Sequence, residues 1–178
     1  MQCYLFFILH FSFFIIIFFI KTFLIPNFII FKVKAVFPGT FDPFTVGHYD
    51  IVKRGLTFTD EIVIAVGVNE QKHTLTELEA RLSAIRQLFV GEPRVSVAAY
   101  DGLTTDFARN VGAGFILRGV RSISDFEYER NMADINRHLT GIETVLLFSS
   151  PELAYVSSSM VRELIHLGKP VDEFLPNS

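Results

Sequence analysis

The sequence has little cysteine and no tryptophan. Of its 178 residues, one is Cys, none is Trp and seven are Pro. The single thiol, Cys3, excludes an internal disulfide framework and a zinc site built from cysteines. The low proline content excludes a fibrous or linker-rich protein. The length suits one domain with at most a small appendage.

An excess of positive charge is also lacking. The 16 basic and 19 acidic residues give a net charge of −3, which argues against a protein that binds nucleic acid through a generally basic surface. We therefore expect no nucleic-acid partner. A small anionic ligand is compatible with this balance, because a few local Arg and Lys side chains are enough to hold it.

Residues 1–31 differ in composition from the rest of the chain. They contain ten of the 20 Phe residues and one charged side chain, Lys21. As a helix, the first 20 residues would be about 30 Å long, which is enough to cross a bilayer. A cleaved signal peptide fits poorly, because no Lys or Arg precedes the apolar run and no A-x-A-like site follows it.

A different interpretation of residues 1–31 is that they are translated upstream DNA, since codons for Phe and Ile consist mostly of A and T. We favour this interpretation over a membrane anchor. It requires a non-AUG start near Val33, because no Met lies between Met1 and Met132. We divide the chain into an apolar segment, 1–31, and a domain, 32–178, and expect contact with a membrane only if the apolar segment belongs to the protein.

The domain alternates short apolar runs with helical patterns. The predicted strands span 34–37, 61–68, 95–99, 115–118 and 144–148. The predicted helices span 47–58, 76–89, 104–111, 125–139 and 158–166, with a last turn at 172–175. The T-x-x-E pattern from Thr76 to Glu79 predicts a capping box. This alternation predicts an α/β fold, a Rossmann-like parallel sheet of five strands with helices on both faces.

In such sheets ligands bind beyond the carboxyl ends of the strands, so the loops there are the candidate sites. In the first of these loops, Gly39 permits close approach to the backbone. His48 opens the following helix, where free N–H groups and the helix dipole favour an anion. His48 fits a phosphate donor and a simple helix cap about equally well at this point.

Other candidates follow later strands. Arg118 and Arg121, separated by Gly119, end a predicted strand, and their guanidinium forks match phosphate oxygens. The run from Ser157 to Ser159 precedes a helix and fits either a cap or a phosphate cradle. Lys72 alone would be interpreted as a solvated side chain. The sequence contains no Walker A motif, no metal-ligating His pair and no G-x-S-x-G nucleophile elbow.

Several phrases together resemble one family. T-V-G-H at 45–48 after P-G-T-F-D-P, then Lys72, R-G-V-R-S-I-S-D-F-E-Y-E, N-R-H-L and V-S-S-S-M-V-R-E-L, occur in the order typical of phosphopantetheine adenylyltransferases, members of the nucleotidyltransferase superfamily. The resemblance runs from about residue 34 to 176. It implies transfer of the adenylyl group of ATP to 4′-phosphopantetheine, giving dephospho-coenzyme A and pyrophosphate in coenzyme A synthesis, with Mg²⁺, in a cytoplasmic homohexamer.

The resemblance also implies roles for individual residues. The implied catalytic residues are His48, Lys72 and Arg121. The residues implied to contact ATP are Thr40, Phe41, His48, Gly119, Val120, Arg121, Glu129, Leu153, Ala154, Tyr155, Val156, Ser157, Ser158 and Ser159. The residues implied to contact phosphopantetheine are Thr40, Lys72, Thr104 and Arg118. No residue is assigned to a metal. Leu153 stands where relatives often have Trp, which puts the adenine contact at that position in doubt.

Two alternative functions stay open at this point. One is a membrane-tethered nucleotide-binding module that has kept the fold. The other is a nucleotidyltransferase with a different acceptor, such as nicotinamide mononucleotide. In the favoured reaction the nucleophile is a phosphate with a second pKa near 6, so it is already ionised at neutral pH and needs no general base. Positioning and charge stabilisation are then the chemistry to look for.

Overall fold

A computed structural model describes residues 32–68 and 74–177 of the chain. Residues 32–178 form one compact unit. The predicted apolar segment, residues 1–31, lies outside the described residues. Lys72, for which a role in binding and catalysis is predicted, also lies outside them. Within the parts of the chain that the structure describes, no helix combines the length and the apolar character needed to cross a membrane.

Five strands and five α-helices alternate along the part of the chain that the structure describes. The strands are β1 (Lys34–Gly39), β2 (Glu61–Gly67), β3 (Val95–Tyr100), β4 (Phe115–Val120) and β5 (Glu143–Phe148). The helices are α1 (Val46–Gly55), α2 (Leu78–Leu88), α3 (Thr104–Asn110), α4 (Ile123–Thr140) and α5 (Ser158–His166), and short 3₁₀ turns follow at Pro151–Leu153 and Asp172–Phe174.

All strand pairs are parallel, and the strand order is β3-β2-β1-β4-β5. The predicted five-stranded parallel sheet is therefore confirmed. The order reverses between β1 and β4. Strands β2 and β3 follow β1 on one side of it, whereas β4 pairs with the opposite side of β1 and β5 lies beyond β4. Such a switch point is where open α/β sheets bind ligands.

Two separate apolar cores show that helices cover both faces of the sheet. Side chains alternate between faces along a strand, and on β1 Phe37 belongs to one cluster while Val36 belongs to the other. The Phe37 cluster includes Ile51 of α1 and Ile85 of α2, whereas the Val36 cluster includes Ala108 of α3. Burial on both faces explains why the strands read as nearly continuous apolar runs.

Helix ends differ most from the predictions. The predicted helix 47–58 stops at Gly55, where the hydroxyls of Thr57 and Thr59 donate to the carbonyls of Arg54 and Gly55 at 2.7 and 3.0 Å. The N–H groups of Thr57 and Phe58 donate to the same two carbonyls and tighten the last turn. The predicted capping box at Thr76 is wrong. Helix α2 begins at Leu78 with Glu77 as N-cap and no side-chain cap, because the Thr76 N–H donates to Asp42 instead, at 3.0 Å.

Candidate active site

The loop that leaves β1, residues 40–45, has a strained and tightly packed backbone. Phe41 adopts a left-handed conformation with φ of 50°, which a residue with a side chain rarely occupies. Its buried ring lies against Gly39, where an added Cβ would come within 2.7 Å of two ring carbons. Gly39 is therefore required for the packing of Phe41, and this packing fixes the direction in which the loop leaves the sheet.

His48 is both a helix cap and a cavity residue. The backbone N–H of Thr45 donates to His48 Nδ1 at 3.0 Å, and the Thr45 hydroxyl accepts from the His48 N–H at 3.5 Å, a reciprocal capping box. Since Nδ1 accepts a hydrogen bond, the neutral ring carries its proton on Nε2. The capping interpretation is confirmed. Among residues 32–68 and 74–177 the Nε2–H has no partner, and the ring lies in the wall of the first cavity described below.

The surroundings of His48 keep its ring neutral. Its ring lies 5.1 to 6.1 Å, between centroids, from the rings of Phe37, Phe41 and Phe44. Burial, with a smaller contribution from the positive charges of Arg121 and Arg118, lowers the pKa of His48 to about 3. A neutral Nε2–H can donate to a phosphate oxygen, but a ring this weakly basic is a poor proton acceptor at neutral pH.

Arg118, at the end of β4, is held by two partners. Its Nε donates to Glu129 Oε2 at 2.8 Å, its Nη2 donates to Glu129 Oε1, and its Nη1 donates to the Pro38 carbonyl at 2.6 Å. Burial opposes the charge on Arg118, but the hydrogen bonds and charge of Glu129 outweigh burial and raise its pKa. The bidentate pair therefore places a fixed positive charge between β1 and β4.

Arg121 connects three elements. Its Nε donates to Asp125 Oδ2 at 3.0 Å near the start of α4, and its Nη1 donates to the Val156 carbonyl at 3.5 Å. Val120, between the two arginines, is buried, so its side chain packs in the interior. Gly119 and Arg121 both lie in the wall of the cavity described below.

The three serines before and in α5 have different partners. Ser157 caps the helix by accepting from the Met160 N–H at 3.1 Å, and Ser158 donates to the Pro43 carbonyl at 2.8 Å. Ser159 accepts from Arg162 Nη2 at 3.1 Å. The capping interpretation is confirmed for Ser157, which is the N-cap, whereas Ser158 and Ser159 line the cavity and their role as a phosphate cradle stays a prediction.

Two cavities meet at the switch point of the sheet. The first, of about 310 Å³, is lined by His48, Arg118, Arg121, Ser158 and Ser159, among others. The second, of about 450 Å³, is lined by Thr104 and parts of α4, among others. The residues that line both cavities are Pro38, Gly39, Thr40, Arg118 and Glu129. A molecule in one cavity would therefore lie next to a molecule in the other.

Not every residue implied by the resemblance reaches a cavity. Thr104 lines the second cavity, where its hydroxyl and that of Tyr100 are 2.8 Å apart. Leu153, Ala154 and Tyr155 are absent from the described walls of both cavities, and Tyr155 is 66% exposed beside Phe174. Val156 does line the first cavity, so the described contact of this loop begins one residue after Tyr155.

Sequence reasoning missed one cavity residue with a clear role. Arg162 lines the first cavity and donates to the Asp42 carbonyl at 2.7 Å as well as to Ser159. The signal was its spacing, because four residues after Ser158 places it on the same face of α5. With Arg118 and Arg121 it gives the first cavity three guanidinium groups, an arrangement suited to a polyphosphate.

The fold and the two cavities define an α/β domain with a candidate site at the switch point of its sheet, and comparison with known proteins gives its class. Residues 36–164 match the cytidylyltransferase-like family. Solved structures of similar fold include a bifunctional NMN adenylyltransferase/ADP ribose pyrophosphatase from Francisella tularensis, with a TM-score of 0.61 and 13% identity over 81% of this chain and 45% of that one. A putative nicotinate-nucleotide adenylyltransferase from Vibrio parahaemolyticus gives a TM-score of 0.57 at 13% identity, covering 82% and 94%. At these identities the structures show the fold alone.

Sequence relatives identify the particular family. The phosphopantetheine adenylyltransferase of Phocaeicola vulgatus is 59% identical over 143 residues, which cover 80% of this chain and 95% of the relative. Those of Bacteroides fragilis and Flavobacterium johnsoniae are 57% and 48% identical, over 80% and 82% of this chain and 95% of each relative. The chain belongs to the phosphopantetheine adenylyltransferase family.

Proposed function

We propose that this protein transfers the adenylyl group of ATP to 4′-phosphopantetheine, forming dephospho-coenzyme A and pyrophosphate in coenzyme A synthesis. The observation that carries the proposal is the pair of adjoining cavities that share Thr40, Arg118 and Glu129. A reaction between two phosphorylated substrates needs such neighbouring sites. The identity of 59% to the Phocaeicola vulgatus enzyme supports this choice of substrates.

The mechanism follows from the groups in the first cavity. A phosphate oxygen of the acceptor forms a bond to the α-phosphorus of ATP, and the bond from that phosphorus to the bridging oxygen of the β-phosphate breaks, releasing pyrophosphate. Negative charge on the α-phosphate oxygens is stabilised by His48 Nε2–H and by the guanidinium of Arg121. The sequence-based assignment of Lys72 to the phosphates stays part of this proposal.

The proposal includes Mg²⁺, bound to the triphosphate of ATP. Within the described residues no group of three His, Cys, Asp or Glu side chains could hold a metal. In the first cavity the carboxylates of Asp125 and Glu129 are already paired with Arg121 and Arg118. The described side chains therefore offer no protein cage, and Mg²⁺ would bind chiefly through the phosphates and water, where it neutralises phosphate charge.

We further propose that the protein assembles as a homohexamer, as the family resemblance implies. Support comes from an exposed apolar surface formed by Ile123 and Phe126 of α4 and Phe148 of the edge strand β5. Phe126 and Phe148 stack with ring centroids 6.3 Å apart. Light scattering after gel filtration tests the assembly, with Phe148→Glu expected to give smaller species than Lys169→Glu, a control on the exposed segment that follows α5.

The location of the protein follows from its substrate. We propose a cytoplasmic enzyme, because the reaction consumes ATP. Fractionation of the natively expressed protein, followed by intact-mass measurement, tests this and also shows whether residues 1–31 are present. A mass that includes these residues in the membrane fraction would contradict the cytoplasmic proposal.

An acceptor assay tests the activity itself. Purified protein is given ATP with either phosphopantetheine or nicotinamide mononucleotide, and dephospho-coenzyme A and pyrophosphate are measured. Protein carrying His48→Ala, prepared in the same way, controls for a contaminating host enzyme. Turnover of nicotinamide mononucleotide without turnover of phosphopantetheine would overturn the proposed acceptor.

A further inference from the structure

Arg81 of α2 is a buried cation whose hydrogen-bond partners are neutral. It is 7% exposed, and its Nε and Nη1 donate to the carbonyls of Thr76 and Thr40 at 3.1 and 2.6 Å. Within residues 32–68 and 74–177 no carboxylate lies at ion-pair distance from it. Because burying a guanidinium without a counter-charge is costly, core packing alone does not explain an Arg whose partners among these residues are two carbonyls.

Asp42 makes the complementary contacts from the loop after β1. It is 2% exposed, and its carboxylate accepts from the N–H groups of Leu75 and Thr76 at 2.7 and 3.0 Å. The backbone of Thr76 thus lies between the two charges, with its N–H bonded to Asp42 and its carbonyl bonded to Arg81. Four hydrogen bonds to charged groups therefore tie the loop after β1 to the segment that leads into α2.

The four hydrogen bonds of Asp42 and Arg81 fix the backbone at the wall that the two cavities share. Thr40 lines both cavities, and the next residue, Phe41, is kept in a left-handed conformation. Such strain persists only where surrounding contacts determine the backbone more strongly than local preference does. The bond from Arg81 to the Thr40 carbonyl is the shortest of the four, and this carbonyl belongs to the peptide group that precedes the strained residue Phe41.

The bond from Arg81 to the Thr40 carbonyl also orients the peptide group between Thr40 and Phe41. The Thr40–Phe41 peptide is trans, so its carbonyl and its N–H point in opposite directions. Among the described residues, Arg81 lies outside the walls of both cavities, whereas Thr40 and Phe41 lie in the wall of the first. The N–H of Phe41 has no hydrogen-bond partner within the described parts of the chain.

We propose that Arg81 is a positioning residue for adenylyl transfer, which holds the Thr40 carbonyl away from the first cavity and thereby directs the N–H of Phe41 toward the phosphates of ATP. A carbonyl turned toward the triphosphate would repel it, whereas an N–H stabilises it. The hydrogen bond from a cation also polarises the peptide and strengthens its N–H as a donor. This inference rests on the proposed function for its reaction but on ATP binding alone for its geometry.

The experiment compares Arg81→Met with Ile85→Ala in the full chain. Ile85 is a buried residue one turn further along α2. It shares the apolar cluster of Phe41 but makes no hydrogen bond to the loop after β1, so its truncation controls for lost stability and lost apolar packing. We expect Arg81→Met to lower kcat/KM for ATP about 10²-fold, the scale of one misplaced donor. We expect Ile85→Ala to change it less than threefold even where its Tm falls as far.

A second readout does not depend on turnover. The amide resonance of Phe41, followed by NMR as ATP is added without acceptor, should shift in the wild type and in Ile85→Ala but not in Arg81→Met. Equal amide shifts in all three proteins, or equal kcat/KM values for the two variants, would overturn the role of Arg81. If Arg81→Met does not fold, Arg81→Gln replaces it under the same criteria, with at least half of the amide shift expected to be lost.

The two proposals fail separately. A wild-type protein that shows the Phe41 shift with ATP, loses it in Arg81→Met and yet makes no dephospho-coenzyme A would remove the proposed acceptor. It would leave the positioning role intact.

Discussion

His48 accepts a hydrogen bond at Nδ1 from the backbone N–H of Thr45, over 3.0 Å, and this contact fixes the tautomer of the ring. The neutral imidazole then has its proton on Nε2, so one nitrogen of the ring is a structural acceptor and the other is a donor. The two functions are separable by substitution, because the amides of Asn and Gln each imitate one of the two ring nitrogens.

We predict that His48→Asn and His48→Gln have opposite defects. Asn places its oxygen near Nδ1 and keeps the cap, whereas Gln places its N–H near Nε2 and keeps the donor. His48→Asn, like His48→Ala, should therefore lower kcat about 10²-fold or more with a smaller change in KM for ATP. His48→Gln should keep most of kcat and lower the Tm. Near-normal kcat in His48→Asn would remove His48 from the catalytic residues.

The pKa of His48 predicts how stability depends on pH. Its value of about 3 in the folded protein lies below the ordinary value of 6.5, so between these pH values the unfolded chain binds a proton that the folded protein does not. The free energy of unfolding should therefore fall as the pH decreases below 6.5, by at most about 1.4 kcal/mol per pH unit from this group.

Urea unfolding at pH 7, 6 and 5 checks this, with His48→Gln as the comparison. The wild type should lose more stability than His48→Gln between pH 7 and pH 5. Parallel losses in the two proteins would show that folding does not lower the pKa of the His48 ring.

Two glycines allow steric crowding to be separated from function. An added Cβ at Gly39 would lie 2.7 Å from the Phe41 ring, and one at Gly55 would lie 2.8 Å from side-chain carbons of Ile62 and Leu117. Both Gly→Ala variants should lose about 1–3 kcal/mol of stability through overpacking.

Their activities should differ, because the clash at Gly39 displaces the strained Phe41 whereas the clash at Gly55 affects only the core. We expect Gly39→Ala to lower kcat/KM for ATP at least tenfold and Gly55→Ala to leave it nearly unchanged at a temperature where both are folded. Steady-state kinetics and thermal unfolding of the two variants provide the measurement.

The pair formed by Arg118 and Glu129 should contribute to both stability and acceptor binding. Arg118→Ala leaves the buried carboxylate of Glu129 without its partner, which should cost about 2–3 kcal/mol, less than a fully buried pair because the Arg118 side chain is 30% exposed. It should also raise KM for phosphopantetheine at least tenfold. Arg137→Ala, which breaks an exposed pair with Asp134, should cost less than about 0.5 kcal/mol.

A double variant, Arg118→Met with Glu129→Met, distinguishes the two contributions. Apolar replacement of a buried pair often restores stability, so chemical unfolding should return near the wild-type value. The KM for phosphopantetheine should stay raised. Recovery of both properties would show that Arg118 does not contact the acceptor.

Removal of residues 1–31 should leave a folded and active protein. Residues 32–178 form a compact unit with two apolar cores of their own, and the relatives match 143 to 145 residues of the chain. We expect the shortened chain to unfold cooperatively and to form dephospho-coenzyme A. A chain that folds only with residues 1–31 present would show that the apolar segment is structural.

The sequence predicted the sheet well because strands buried on both faces are marked by continuous apolar runs such as E-I-V-I-A-V-G. It failed at Thr76 for a long-range reason. The local pattern T-x-x-E predicts a cap, but the Thr76 N–H is used by Asp42, 34 residues earlier. Contacts of this kind depend on the tertiary fold and leave no mark in a local pattern.

The candidate site was predicted unevenly for similar reasons. Arg118 and Arg121 stand out because they follow a strand, where charge is unusual. Arg81 and Arg162 lie within amphipathic helices, where an arginine is ordinarily on the solvated face. Only the fold shows that these two side chains point to the loop after β1 and bond its carbonyls.

The wall shared by the two cavities also determines what kind of inhibitor the protein would bind. A single molecule that joins a nucleotide to an acceptor fragment would place both halves across Thr40 and Arg118, and would lose translational freedom only once on binding. Its second half would then bind at a high effective concentration, provided that the linker is short enough to follow that wall. Affinity should therefore depend steeply on linker length, with an optimum of a few bonds.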